Sequence, residues 1–127
     1  MDLAPLAGLS LFAGVDEGQL KDFADRAQDI DVEIGTVLVN KGDLAYKFFV
    51  ILDGLAAVTG DGEQLASLGT GDFFGETGLV DEARRNANVV AITPMRVAAL
   101  LAWDFRESMD SMPAVADSIS RAAQQRR

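Results

Sequence analysis

The sequence predicts a mainly β domain with helices flanking it at both ends. Three observations carry that expectation. Between residues 29 and 101, short apolar or alternating runs recur at about eight to twelve residues, the rhythm of an all-β sandwich or barrel. A glycine turn stands at each break up to residue 72: Gly35, Gly42-Asp43, Asp53-Gly54, Gly60-Asp61-Gly62, and Gly69 to Asp72. Before and after that region the apolar residues fall three or four apart, as they do along one face of a helix.

The elements follow in order. Asp16, then Glu17 and the apolar Leu20, Phe23, Ala24 and Ala27, reads as a helix with Asp16 as its N-cap. Phe12 and Val15 precede it as packing anchors. Ile30-Asp31-Val32-Glu33-Ile34 alternates strictly, which predicts a strand with one wet face. Val37 to Val39 resumes after Gly35. Tyr46 to Leu52 is aromatic and β-branched, as a buried strand is. Leu55 to Thr59 and Gln64 to Leu68 give two more strands, and Asn86 to Thr93 and Met95 to Leu101 lie on either side of Pro94. Helical spacing returns with Phe105, Met109 and Met112, then Val115, Ile119 and Ala122. Pro113 divides this stretch into two helices, because it cannot donate inside one but suits a first turn.

Composition narrows the chemistry. The chain has 127 residues, 49% of them hydrophobic, enough for one domain with an ordinary core. It contains no Cys and no His. That removes disulfides, thiolate nucleophiles and the commonest general base and transition-metal ligand. No enzymatic activity and no metal site is expected. The formal charge is −9, which disfavours direct contact with a phosphate backbone. Met1 to Pro5 lacks the basic start of a signal peptide, and Val89 to Trp103 is too short and too interrupted to span a bilayer. A soluble cytoplasmic protein is the expectation.

The run that carries function is Phe73 to Val89. It reads Phe73-Phe74-Gly75-Glu76-Thr77-Gly78-Leu79-Val80, then Asp81-Glu82-Ala83-Arg84-Arg85-Asn86-Ala87-Asn88-Val89. Glu76 to Val80 is compatible with a short helix flanked by glycines. A short helix behind a glycine presents unpaired amides to an anion. Gly75 and Gly78 allow close backbone approach. Arg85 offers a planar fork for a phosphate, and Glu76 accepts from vicinal hydroxyls. The plainer alternatives are an exposed Arg84-Arg85 pair and a Glu that complements a helix dipole. The Phe48-Phe49 and Phe73-Phe74 pairs read as core rather than as a stacking platform. Trp103 reads as an anchor of the C-terminal helix on the β region rather than as a cap over a base.

This run resembles the phosphate-binding cassette of cyclic-nucleotide-binding domains, which occur in catabolite-activator-type bacterial regulators, protein kinase regulatory subunits and gated ion channels. Phe74-Gly75-Glu76 match its opening, and Arg85 stands nine positions after the Glu. Ala87 and Val89 match the small and branched positions that follow. Leu11-Phe12-Ala13-Gly14-Val15 and the glycines at 35, 42, 54 and 71 match the family's other landmarks, so the resemblance runs from about residue 9 to about residue 120.

The resemblance implies an eight-stranded antiparallel β-roll, double-stranded and jelly-roll-like, with an N-terminal helix, a short cassette helix and C-terminal helices. It implies one domain over 1–127: a helical segment over 1–28, the roll over 29–102 with the cassette at 73–89, and helices over 103–127. Glu76 is then expected to accept from the ribose 2′-hydroxyl and Arg85 to pair with the phosphate. The amides of Gly75, Gly78 and Asn86 complete the ring of contacts, with Thr77 and Ala87 lining it. Thr77, Arg84, Asn86 and Asn88 depart from the family's usual residues. Thr77 and Asn88 weaken apolar packing, and Asn86 adds a donor near the phosphate or base.

The function so implied is a sensor of cAMP, or in second place of cGMP, that couples ligand to movement of the C-terminal helices. No cofactor is expected beyond that ligand. The expected partners are the nucleotide and, through those helices, a second copy or an effector, with neither nucleic acid nor a membrane bound directly. The alternatives are a roll that serves as an interaction module without ligand, and a fragment of a larger transcriptional regulator. A cupin-like enzyme is disfavoured because metal cupins need His clusters.

Overall fold

The computed structural model describes residues 1–42, 47–75 and 87–125. Helix α1 (Ala4–Ala7) opens the chain, followed by a 3₁₀ turn at Ser10–Phe12 and helix α2 (Glu17–Arg26). Asp16 caps α2 as its sequence position predicts: Oδ2 accepts from Gly18 N at 3.0 Å and from Gln19 N at 3.4 Å. Two amides that no helical carbonyl can reach are thereby satisfied. Leu20, Phe23 and Ala24 form the buried face of α2. The Phe12 ring meets Phe23 at 5.0 Å between centroids, which fixes how the chain enters the helix. Four residues are too few to display a helical period, and α1 was not legible in the sequence.

Eight strands lie among the described residues: β1 (Gln28–Val32), β2 (Val37–Val39), β3 (Lys47–Asp53), β4 (Ala56–Gly60), β5 (Glu63–Leu68), β6 (Phe73–Phe74), β7 (Asn88–Ala91) and β8 (Met95–Leu101). They form two antiparallel sheets, in the orders β1-β8-β3-β6 and β2-β7-β4-β5. This is the mainly β fold with flanking helices that the sequence predicts, and the eight-stranded antiparallel roll that the resemblance implies.

The two interior strands of the first sheet, β3 and β8, are buried on both faces, and the sequence of β3 shows why. Phe48 and Val50 face the helices, whereas Phe49 and Ile51 face the second sheet. A strand covered on both sides loses alternation and reads as a continuous apolar run. β8 behaves likewise, with Ala98 and Leu100 toward the helices and Val97 and Ala99 toward the second sheet. Phe48, Val50, Ile51, Val97 and Ala98 are wholly inaccessible to solvent. Each large side chain so buried stabilises the fold by about 1.5–3 kcal/mol relative to exposure.

Two expected alternations end differently. β1 closes at Val32, and Ile34 is 65% exposed. The Thr36 amide bonds back to Glu33 O at 3.2 Å, so Ile34 sits in a turn and its alternation with Val32 no longer means a shared face. β5 is an edge strand with a single neighbour, and its residues are exposed up to the buried Leu68.

Helices α3 (Ala102–Ser111) and α4 (Pro113–Gln125) follow β8 without a loop, and Pro113 divides them as expected. Phe105, Met112, Val115 and Ile119 join the helix-side core with Leu6, Phe23 and Phe48, and Met109 packs against it. Trp103 corrects the sequence reading: it is 61% exposed and, among the described residues, is not part of the core that holds the helix on the roll. Phe105 takes the inward face of α3, and a residue two positions earlier falls on the opposite side of a helix. Among the described residues no helix is long and apolar enough to cross a membrane.

Candidate functional site

Residues 73–89 join the two sheets. The run begins at β6, an edge of the first sheet, and ends in β7, an interior strand of the second. Its beginning is held firmly. Phe74 pairs with Phe49 in the ladder, and their rings stack at 4.8 Å with 16° between planes. The preceding turn is braced by Asp72, whose Oδ2 accepts from Gly69 N at 2.8 Å. Ile51 N donates to Asp72 O, and Gly71 N donates to Ile51 O, both at 2.8 Å.

Gly75 then turns the chain out of β6 with φ +91°, a left-handed conformation that glycine adopts without steric cost. On the far side Ala87 is half-buried and leads into β7. There Asn88 pairs with Thr59, Val89 with Val58 and Ala91 with Ala56, and Val89 and Ala91 enter the core between the sheets.

Of the residues singled out from sequence, Gly75 and Ala87 are therefore placed at the two ends of the run. Glu76, Thr77, Gly78, Arg85 and Asn86 lie outside the described residues, as does the expected short helix at 76–80. The Phe48-Phe49 and Phe73-Phe74 pairs are core, as read from sequence: Phe48, Phe49 and Phe74 are buried, and Phe73 packs on the helix-side cluster. Phe73 also lies 5.9 Å from Phe48, and Phe48 lies 4.7 Å from Phe105 of α3, centroid to centroid. A line of rings thus runs from the start of residues 73–89, through β3, to the first C-terminal helix.

Four cations among the described residues form ion pairs with carboxylates. Lys21 bonds Asp25, Lys41 bonds Asp61, Arg26 bonds Asp22, Asp104 and Glu107, and Arg96 bonds Asp29. No cluster of three or more Asp, Glu, His or Cys that could hold a metal ion occurs among these residues.

Sequence reasoning missed one contact near the site. Asn88, which reads as a departure that loosens packing, has a side-chain carbonyl that accepts from Lys41 N at 2.7 Å. The two residues are 47 positions apart, and nothing in the local pattern around either one announces the other.

Comparison with known proteins agrees with this architecture. The family model of the cyclic nucleotide-binding domain matches residues 30–112. The cAMP-dependent protein kinase regulatory subunit of Schizosaccharomyces pombe is 33% identical over 94 residues, covering 73% of this chain and 23% of the relative. A cyclic nucleotide-gated potassium channel of Rhizobium etli is 30% identical over 122 residues, covering 96% of this chain and 34% of the channel. This chain thus spans about a quarter to a third of those two proteins. The regulatory domain of Toxoplasma gondii PKA, solved with cAMP, superposes with a TM-score of 0.85 at 28% identity, over 97% of this chain and 48% of that one. A matching family model over most of the roll, and the same two-sheet fold in a 28% identical structure, lead to one assignment: the chain belongs to the cyclic nucleotide-binding domain family.

Proposed function

We propose that this domain binds cAMP through residues 73–89 and passes the ligand state to its C-terminal helices. Arg85 pairs with the phosphate, Glu76 accepts from the ribose hydroxyl, and the amides of Gly75, Gly78 and Asn86 complete the cradle beside Thr77 and Ala87. The observation that carries the coupling is the ring line Phe73–Phe48–Phe105, which joins the start of the cassette to α3 through the core. Packed rings at these spacings do not deform continuously, so displacement at Phe73 transmits to Phe105. Support for Arg85 as the phosphate partner comes from its place nine positions after Glu76, inside the span 30–112 that the cyclic nucleotide-binding family model matches. The S. pombe and T. gondii relatives are named for cAMP, which favours it over cGMP as the ligand. The domain works in the cytoplasm under this reading. An effector, or a second copy, meets it at the C-terminal helices.

Calorimetric titration with cAMP and cGMP tests the reading. Arg85→Ala leaves a bound phosphate unpaired, at about 2–5 kcal/mol. Affinity then falls by roughly 30-fold to several thousand-fold, with the fold intact. Unchanged affinity in that variant overturns the assignment. A second reading is an interaction module without ligand, favoured by exposed Val37, Leu55, Leu65 and Ile92 on or beside the second sheet. Silence of the wild-type chain toward both nucleotides, with a stable complex or dimer present, supports it.

A further inference from the structure

We infer that Asn88 is a positioning residue for the nucleotide site, acting by clamping the turn after β2 onto the exit of residues 73–89. The inference rests on the nucleotide reading above and assigns a task to a residue that touches no ligand in it.

The argument starts from the ladder. β2 and β7 pair at Val37 with Val90 and at Val39 with Val89, with a register shift between the two. Backbone pairing of β2 with β7 stops there. Lys41, two residues further on, donates its amide instead to the Asn88 side chain at 2.7 Å. The carboxamide extends the cross-link one step beyond the last ladder pair. Asn88 is suited to this because its side chain points away from the core that Val89 enters, and it carries a carbonyl far enough out to meet a neighbouring backbone.

Lys41 is tied a second time, by Nζ to Asp61 Oδ1 at 3.0 Å, in the turn between β4 and β5. Asp61 is 90% exposed, so that ion pair adds little restraint. Asn88, half-buried, is the firmer tether. Three pieces therefore meet at one end of the second sheet: the turn at Lys41, the turn at Asp61 and the start of β7.

Arg85 lies three residues before Asn88. A phosphate ligand gains most from a guanidinium whose backbone is already fixed, since ordering it during binding subtracts from affinity. Clamping position 88 to a turn of a different strand fixes the exit of the cassette without occupying the site. The departure from the family's usual Thr or Ser at this position then acquires a purpose, because a carboxamide reaches further than a hydroxyl.

The test compares the full chain with Asn88→Leu, which keeps the shape and loses the acceptor, and Asn88→Asp, which keeps the acceptor. Two readouts are taken: hydrogen exchange at the Lys41 amide, and the cAMP dissociation constant at raised ionic strength, where the added charge of Asn88→Asp is screened. Asn88→Leu is expected to lose protection at Lys41 and up to about tenfold in affinity, the ceiling being an ordering cost equal to one hydrogen bond. Asn88→Asp is expected to keep the protection and recover most of the affinity. Wild-type binding with unchanged affinity in Asn88→Leu overturns this inference and leaves the nucleotide reading standing. So does an Asn88→Asp chain that keeps Lys41 protection yet binds as weakly as Asn88→Leu. Should Asn88→Leu not fold, Asn88→Asp decides by whether protection and affinity are retained together. No binding by the wild-type chain sinks both readings at once.

Discussion

Arg26 Nη1 lies 2.9 Å from Asp104 Oδ1, a contact that joins the last turn of α2 to the first turn of α3 across 78 residues of sequence. The same nitrogen reaches Glu107 Oε2 at 2.7 Å, and Nε reaches Asp22 at 3.1 Å. The two helices that flank the roll are thus bound to each other as well as to the sheet. An isolated exposed ion pair contributes little, but a guanidinium shared among three carboxylates restrains two helices at once. Arg26→Ala is expected to lower the thermal midpoint and to raise amide exchange in α3 more than elsewhere. A double-mutant cycle with Asp104→Asn checks it. Strictly additive effects would mean that the contact is incidental.

The second pair sets a pH dependence. Arg96 Nε donates to Asp29 Oδ1 at 2.8 Å, and Nη2 bonds the other carboxylate oxygen. This cross-strand fork between β8 and β1 holds the Asp29 carboxyl below its ordinary range, through the hydrogen bond first and the charge second. The folded pKa lies below the unfolded one, so the contribution is complete above the ordinary value of 3.8 and is lost as pH falls through the folded value. Urea unfolding of wild type and Asp29→Asn should therefore differ at pH near neutrality and converge in strong acid. A difference that persists at the lowest pH would count against the fork as its source.

Two glycines should respond very differently to alanine. Gly54, between β3 and β4, has φ +105°, and a Cβ there would stand 2.6 Å from Pro94 O and 2.8 Å from Met95 Cγ. Gly62, between β4 and β5, has φ +80° with open space around it. Gly62→Ala carries backbone strain alone, about 1 kcal/mol. Gly54→Ala adds a clash with fixed backbone and should cost roughly 3 kcal/mol or more. Equal losses in chemical denaturation would show that the close approach at Pro94 relaxes freely.

Much of the fold was legible in the residues. Asp16 announced its cap because capping is local, and the glycines at 35, 42, 54, 62 and 71 announced turns because left-handed backbone is a property of one residue. β3 announced its double burial by losing alternation. Where the reading failed, the missing information was distant. Ile34 continued the pattern of β1 but not the strand, and Trp103 looked like an anchor until Phe105 claimed the inward face of α3.

The sequence by itself determined the strand rhythm, the cap, the helix break at Pro113 and the cassette spacing from Glu76 to Arg85, because each depends on neighbours within a few residues. Only the tertiary structure decided that Asn88 serves Lys41, that Arg26 serves Asp104, and that Phe73, Phe48 and Phe105 form a line. Those contacts join residues tens of positions apart, and a chain acquires them only when both sheets and the helices have closed around a common core.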